Sequence, residues 1–205
     1  MSVPAEVVAL YWVSNVFLGL GAITYLLGGV GLWRDGVTNI AGFAALDDAL
    51  KIDGKPMTKA QVYERVNACQ DKVMKHLMFW STIAMQTLGA FQTVMGIALF
   101  CVIFLNSLPY REAAHFVYFA MCIIEGSIEQ SVTFGVSLVT DTVVKFGGSK
   151  PGAVAPEGSF PRPSLKGGFI AHVVLGLIHL TLGILTVFVD SAYPPYLGPT
   201  TSAAV

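Results

Sequence analysis

No Asp, Glu, Lys or Arg occurs between Glu6 and Arg34, between Lys75 and Arg111, or between Lys166 and Asp190. A helix rises 1.5 Å per residue, so about 20 mostly apolar residues cross a hydrocarbon core ~30 Å thick. Each of these runs is long enough. They are continuous, whereas a transmembrane β-barrel needs ~10-residue segments of strict alternation. Charged residues make up 12% of the chain, against the ~25% of a soluble domain, and mean hydropathy is +0.66. The expected fold class is all-α: a polytopic integral membrane protein of four transmembrane helices, with an extra amphipathic helix in the first long loop.

The spans are expected at about 7–33, 76–105, 113–140 and 168–189 of a single membrane domain covering 1–205. Trp12 and Trp33 bracket the first by roughly 31 Å of helix, matching two interfacial aromatic belts. The third departs from the others, because it carries Glu125, Glu129 and Asp141. The first basic residue is Arg34 and the first apolar run is too long for a signal h-region, so the first helix is expected to be retained.

Seven of the 12 basic residues fall in the polar loop 34–75 and four in 145–166, leaving Arg111 on the other side. The positive-inside rule then places both long loops on the cytoplasmic or matrix side and both termini outside. A net charge of −1 gives no basic excess for phosphate backbones, so nucleic acid is not an expected partner. Cys69, Cys101 and Cys122 form no CxxC pair, which argues against a disulfide framework or a zinc site.

In the first loop, Ile52-Asp53-Gly54-Lys55-Pro56 reads as a turn. Thr58-Lys59-Ala60-Gln61 fits a capping box. Val62, Val66, Cys69 and Val73 then recur as one apolar helical face. Segment 147–167 is rich in Gly, Pro and Ser and is expected to be an extended connection, mobile or clamped by a partner. The tail from Tyr193-Pro194-Pro195-Tyr196 onward has a similar character. No internal repeat, N-x-[ST] acceptor or lipidation signature is present. Asn15, Gln86 and Gln92 are expected to bond between helices, and Asp141 with Lys145 to form an i,i+4 pair. Gly19, Gly21, Gly28, Gly29 and Gly31 favour close packing of the first span.

An ionisable group at the bilayer centre costs at least ~2.5–3.5 kcal/mol on insertion scales. His115, Tyr118, Cys122, Glu125 and Glu129 nevertheless follow one another along one side of the third span. His172, Gly176, His179, Gly183 and Thr186 form a comparable seam on the fourth. Counting depth from Ala113 and Gly168 at 1.5 Å per residue predicts that Glu129 meets His172 and Glu125 meets His179.

Three readings of this seam stay open. Glu and His groups can lock helix register or bind a partner subunit. They can relay protons or ions. They can ligate a cofactor, with His76 and His172 the pair at similar depth for haem. Glu-x-x-His, the carboxylate-bridged di-metal spacing, occurs once, at Glu112-Ala113-Ala114-His115, whereas a di-metal site takes one from each of two helices, so no metal site is expected. No cofactor is required by the sequence, and bound lipid is expected.

Tyr63-Glu64-Arg65-Val66 just before the second span, with four spans and outward termini, resembles the membrane-associated glutathione and eicosanoid enzymes (the MAPEG family). The resemblance implies a glutathione-dependent membrane enzyme. It covers these residues and the gross topology. The Arg and Asn that follow in that family are replaced here by Asn67-Ala68-Cys69-Gln70-Asp71. The third span also lacks the family's tyrosines and arginine.

No nucleotide loop, hydrolase elbow or zinc motif appears, and no soluble segment is large enough for a conventional active site. No catalytic residue is therefore assigned. The expected function is a non-catalytic accessory subunit of a larger membrane complex, of an energy-transducing, respiratory type. Its partners would be lipids and other transmembrane subunits, and the mitochondrial inner membrane suits outward termini and reduced cysteines. The alternatives are a proton- or ion-conducting or haem-binding protein using Glu125, Glu129, His172 and His179, and a MAPEG-like enzyme.

Overall fold

The computed structural model describes residues 4–37, 50–105, 107–134 and 164–192. Five helices occur among them: α1 (Ala5–Arg34), α2 (Lys59–Ala68), α3 (Lys72–Leu105), α4 (Leu108–Phe134) and α5 (Lys166–Ala192). A two-residue antiparallel hairpin, β1 (Lys51–Ile52) and β2 (Lys55–Pro56), precedes α2. Its turn is Asp53-Gly54, both at positive φ (52° and 74°), the Asp-Gly signature of tight two-residue hairpins.

Among the described residues, three helices are long and apolar enough to cross a membrane: α1, α3 and the Lys166–Val189 part of α5. The chain is thus an all-helical protein with three candidate spans, one fewer than the charge-free runs and their neighbour suggest. What sets α4 apart is composition: Arg111, Glu112, Glu125 and Glu129 all lie on it. The inner end of the expected third span (135–140), the Asp141–Lys145 pair and the body of the Pro/Gly-rich loop lie outside the described residues. So do Asp47, Asp48 and the tail from Tyr193.

The helices begin earlier than the apolar runs that mark them. Lys72, Val73, Met74 and Lys75 already belong to α3, because Asp71 caps it: its Oδ1 accepts from the N–H groups of Val73 (2.8 Å) and Met74 (3.1 Å). That cap also divides the apolar face expected to run from Val62 to Val73. The face stops with α2 at Ala68. Val62 is buried at its centre, whereas Val73 belongs to the next helix and is 70% exposed. At the start of α2, Gln61 N–H donates to Thr58 Oγ1 and Thr58 N–H to Gln61 Oε1 (2.8 Å), closing a capping box.

The chain divides into two compact units. The first comprises residues 1–24, 96–127 and 168–205. Its core mixes Val7, Leu18, Ala22, Leu99, Cys122 and Leu182 with the buried polar residues Ser14, Arg111, His115, His179 and Thr186. The ring of Tyr118 lies where a side chain on Gly21 of α1 would stand. Gly176 and Gly183 play the same part between α5 and α4: an added Cβ would lie 3.3 Å from Cys122 Cβ and 3.2 Å from the Phe116 ring. Small residues at such crossings let helices approach closely enough for dispersion to hold them without a hydrophobic drive.

The second unit comprises residues 25–95 and 128–167. Here α1 and α3 meet backbone to backbone. A Cβ on Gly29 would lie 2.7 Å from Thr93 Oγ1 and 2.8 Å from the Gly89 carbonyl. Trp33 O accepts from Gln86 Nε2 one turn further on (3.4 Å). Just past α1, Asp35 accepts from Val37 N–H (2.9 Å) and from the Tyr63 hydroxyl (2.9 Å), and forms an ion pair with Lys59. Partial desolvation raises the Asp35 carboxyl, but these three partners outweigh it and hold the group below its ordinary value. The same hydrogen bond, with some burial, raises the Tyr63 hydroxyl above its own.

Candidate functional site

Most of the buried polar groups of the first unit belong to one network joining α1, α4 and α5. Arg111, in the first turn of α4, is 1% exposed. Its Nη1 donates to Asn15 Oδ1 and lies 3.4 Å from Ser14 Oγ, and its guanidinium sits 4.4 Å above the Tyr11 ring. Ser14 Oγ is 2.7 Å from His115 Nε2. His115 Nδ1 is in turn 2.9 Å from His179 Nδ1 on α5. The Tyr118 ring stacks on His179 with centroids 4.0 Å apart, and Phe17 meets it edge-on at 6.2 Å.

Donor and acceptor chemistry fixes one end of this chain. Arg is a donor only, so Ser14 Oγ accepts from it. Ser14 is wholly buried, and its oxygen, which has a second lone pair as well as a proton, also meets His115 Nε2. Neutral imidazole carries one N–H, so the tautomer of His115 sets which way the proton lies in both of its contacts, with Ser14 Oγ and with His179 Nδ1, and His179 Nε2 is the far end of the chain. That last nitrogen is buried and has no hydrogen-bond partner among the described residues.

Two turns along the same helices, His172 Nε2 and Glu125 Oε2 form a pair at 2.8 Å, with side chains 23% and 35% exposed. This corrects the expected pairing. Glu125 meets His172 rather than His179, and His179 meets His115. The antiparallel register is displaced by about one turn because α4 starts at Leu108, ahead of the Ala113 from which depth was counted. Glu129 is half-buried on α4 within the second unit.

His76 is exposed on α3, where it lines an open cavity with Lys72, Lys75 and Phe79. It belongs to the second unit and His172 to the first. No group of three or more His, Cys, Asp and Glu side chains able to hold a metal occurs among the described residues. Arg65, in the segment resembling the MAPEG enzymes, is exposed near the end of α2 and lines a recess with Leu50, Ile52, Met57, Val62 and Met78.

Sequence reasoning found His115 and His179 but not what surrounds them. Arg111 reads as a loop charge because it ends an apolar run, yet it is among the most buried side chains. Its spacing of one helical turn before His115 is the signal that it shares their face. Ser14 carried no signal beyond lying next to Asn15. No known protein family, curated protein or solved structure matches the chain.

Proposed function

We propose that the chain is a four-span, non-catalytic subunit of a larger membrane complex, with the Arg111–Ser14–His115–His179 network acting as its internal lock. The carrying observation is the burial of that network: Ser14 and His115 are 0% exposed, and Arg111 and His179 1%. Ser14 and His115 are hydrogen-bonded within the network, which links Arg111 to His179 below the surface. Removing a partner from such a network leaves a buried polar group unsatisfied, at ~1–3 kcal/mol.

Crossing by α4 as a fourth span is supported by the same chemistry. Its 27 residues reach roughly 40 Å, and Arg111, His115 and Glu125 all face partners within the protein. The subunit role is supported by large side chains left on the outer helix faces, among them Leu27, Phe91 and Phe104, 71%, 71% and 82% exposed. Lipid or other transmembrane helices would cover them. An energy-transducing assembly such as that of the mitochondrial inner membrane, with both termini outside, accords with the basic-residue asymmetry and free cysteines.

The test is the native mass of the particle extracted in mild detergent. A large hetero-oligomer supports this reading, and a free-standing small homo-oligomer overturns it. A second reading, proton relay, is favoured by the Ser14–His115–His179 hydrogen-bond chain and the Glu125–His172 pair. It requires Glu125→Gln to abolish proton movement in reconstituted vesicles while assembly persists.

A further inference from the structure

The first two turns of α3 carry Lys72, Lys75, His76 and Phe79 along one side, and together they line an open cavity of about 350 Å³. We infer that this cavity is a binding site for an anionic phospholipid, its phosphate held between Lys72 and Lys75 and its acyl chains led away over Phe79. This site is separate from the buried network and does not depend on the role proposed for it.

The chemistry of the lining supports that choice. Residues three and four apart on a helix are neighbours, with Cβ atoms ~5–6 Å apart, so the two ammonium groups can close on one phosphate. Lys75 Nζ donates to the Asn67 carbonyl (3.1 Å), and an ammonium has two further protons to give. Asp71, the residue before Lys72, accepts from the N–H groups of Val73 and Met74. Its charge is therefore directed at the helix end, and the recognition rests on side chains rather than on free backbone donors.

Phe79 is the apolar side of the lining, and further exposed apolar residues adjoin it in sequence. Phe79 and Trp80 are 57% and 63% exposed and meet edge to face with centroids 5.9 Å apart. Leu77 beside them is 58% exposed. Basic residues followed immediately by exposed aromatics, where a charge-free run begins, is the arrangement expected at headgroup level. A soluble anion would gain nothing from the aromatic wall, whereas a zwitterionic lipid would bring its own ammonium against two lysines. The volume lies within the ~300–1,000 Å³ range of small-molecule sites.

The experiment uses the full chain in nanodiscs of phosphatidylcholine containing a minor fraction of phosphatidylglycerol, with retained lipid counted by native mass spectrometry after mild release. Each lysine near a headgroup contributes enough that Lys72→Gln/Lys75→Gln should lower retention of phosphatidylglycerol about 30-fold. Lys72→Arg/Lys75→Arg should retain it. Lys55→Gln/Arg65→Gln, which removes equal charge from residues outside the cavity lining, should change retention little. Both lysines are exposed, and circular dichroism checks that the helices persist. Equal loss in the two charge-removing variants, no loss in either, or displacement of the lipid by millimolar inorganic phosphate would each overturn the proposal.

Discussion

His115 Nδ1 and His179 Nδ1 lie 2.9 Å apart although 64 residues separate them in the chain. One nitrogen of the pair must be bare for the other to donate, so the two rings cannot both be protonated at these positions. The Ser14–His115 contact continues this pair, so the proton order on one ring is tied to that on the other across three helices.

That order makes Ser14 matter more than its size suggests. Ser14→Ala leaves His115 Nε2 buried without its hydrogen-bond partner, and we expect a loss of ~1–3 kcal/mol. In a Ser14→Ala/His115→Leu double variant the two changes should be non-additive by ~0.5–3 kcal/mol. Thermal or denaturant unfolding in detergent measures both. Additive losses would mean that the two side chains do not act as one unit.

The register of α4 against α5 has its own chemical test. An ideal Cβ at Gly176 would lie 3.3 Å from Cys122 Cβ, close to the ~3.5–4.5 Å of disulfides. With Cys69 and Cys101 replaced by Ser, Gly176→Cys should cross-link to native Cys122 under mild oxidation, seen as loss of two free thiols by mass. In the register anticipated from depth counting, position 176 would stand level with Glu125, and Cys122 would stay reduced.

Gly29 and Gly31 of α1 should respond oppositely to a methyl group. At Gly29 it would press on the Gly89 carbonyl and on Thr93, whereas nothing lies within 4 Å of it at Gly31. Gly29→Ala is expected to cost ~1–3 kcal/mol through forced separation of the backbones. Gly31→Ala should be neutral or gain up to ~1 kcal/mol of helix propensity. Unfolding midpoints of the two variants in one detergent give the comparison.

The Asp35 cluster should be sensitive to acid. Its carboxyl titrates below the ordinary aspartate value when folded, so its stabilisation is fully present above that ordinary value. It is lost as pH falls through the lowered one. Tyr63→Phe removes a donor to the carboxylate and should move the Asp35 titration upward, bringing the loss to higher pH. Side-chain carboxyl resonances followed through an acid titration read this directly, and an unchanged Asp35 value would exclude the Tyr63 contact.

Much of the helical layout was legible because charge avoidance is a one-dimensional signal. The run bounded by Glu6 and Arg34 marks α1 to within a turn, and the one bounded by Lys75 and Arg111 holds most of α3 and the first residues of α4. Their true starts were hidden because capping is local chemistry: Asp71 extends α3 back into polar sequence, and α4 begins at Leu108 before its charged residues. The same few residues decided the site. Spacing along α4 placed His115 and Glu125 on one side, but which residue each meets depends on helix offset, where one turn exchanges every partner. Arg111 was illegible for a related reason: a charge at the end of an apolar run looks the same whether it turns outward to water or inward over Tyr11.

The chain has four histidines, and two of them, His115 and His179, are buried in mutual contact. Uniform labelling of this one residue type with nitrogen-15 would therefore carry a reporter already in place. An N–H proton shared between two imidazoles resonates far from bulk amides, and coupling across the bridge would vanish as soon as α4 and α5 parted. Whether the helices close during membrane insertion or only upon assembly becomes a question that one resonance can answer, with no probe added and no residue changed.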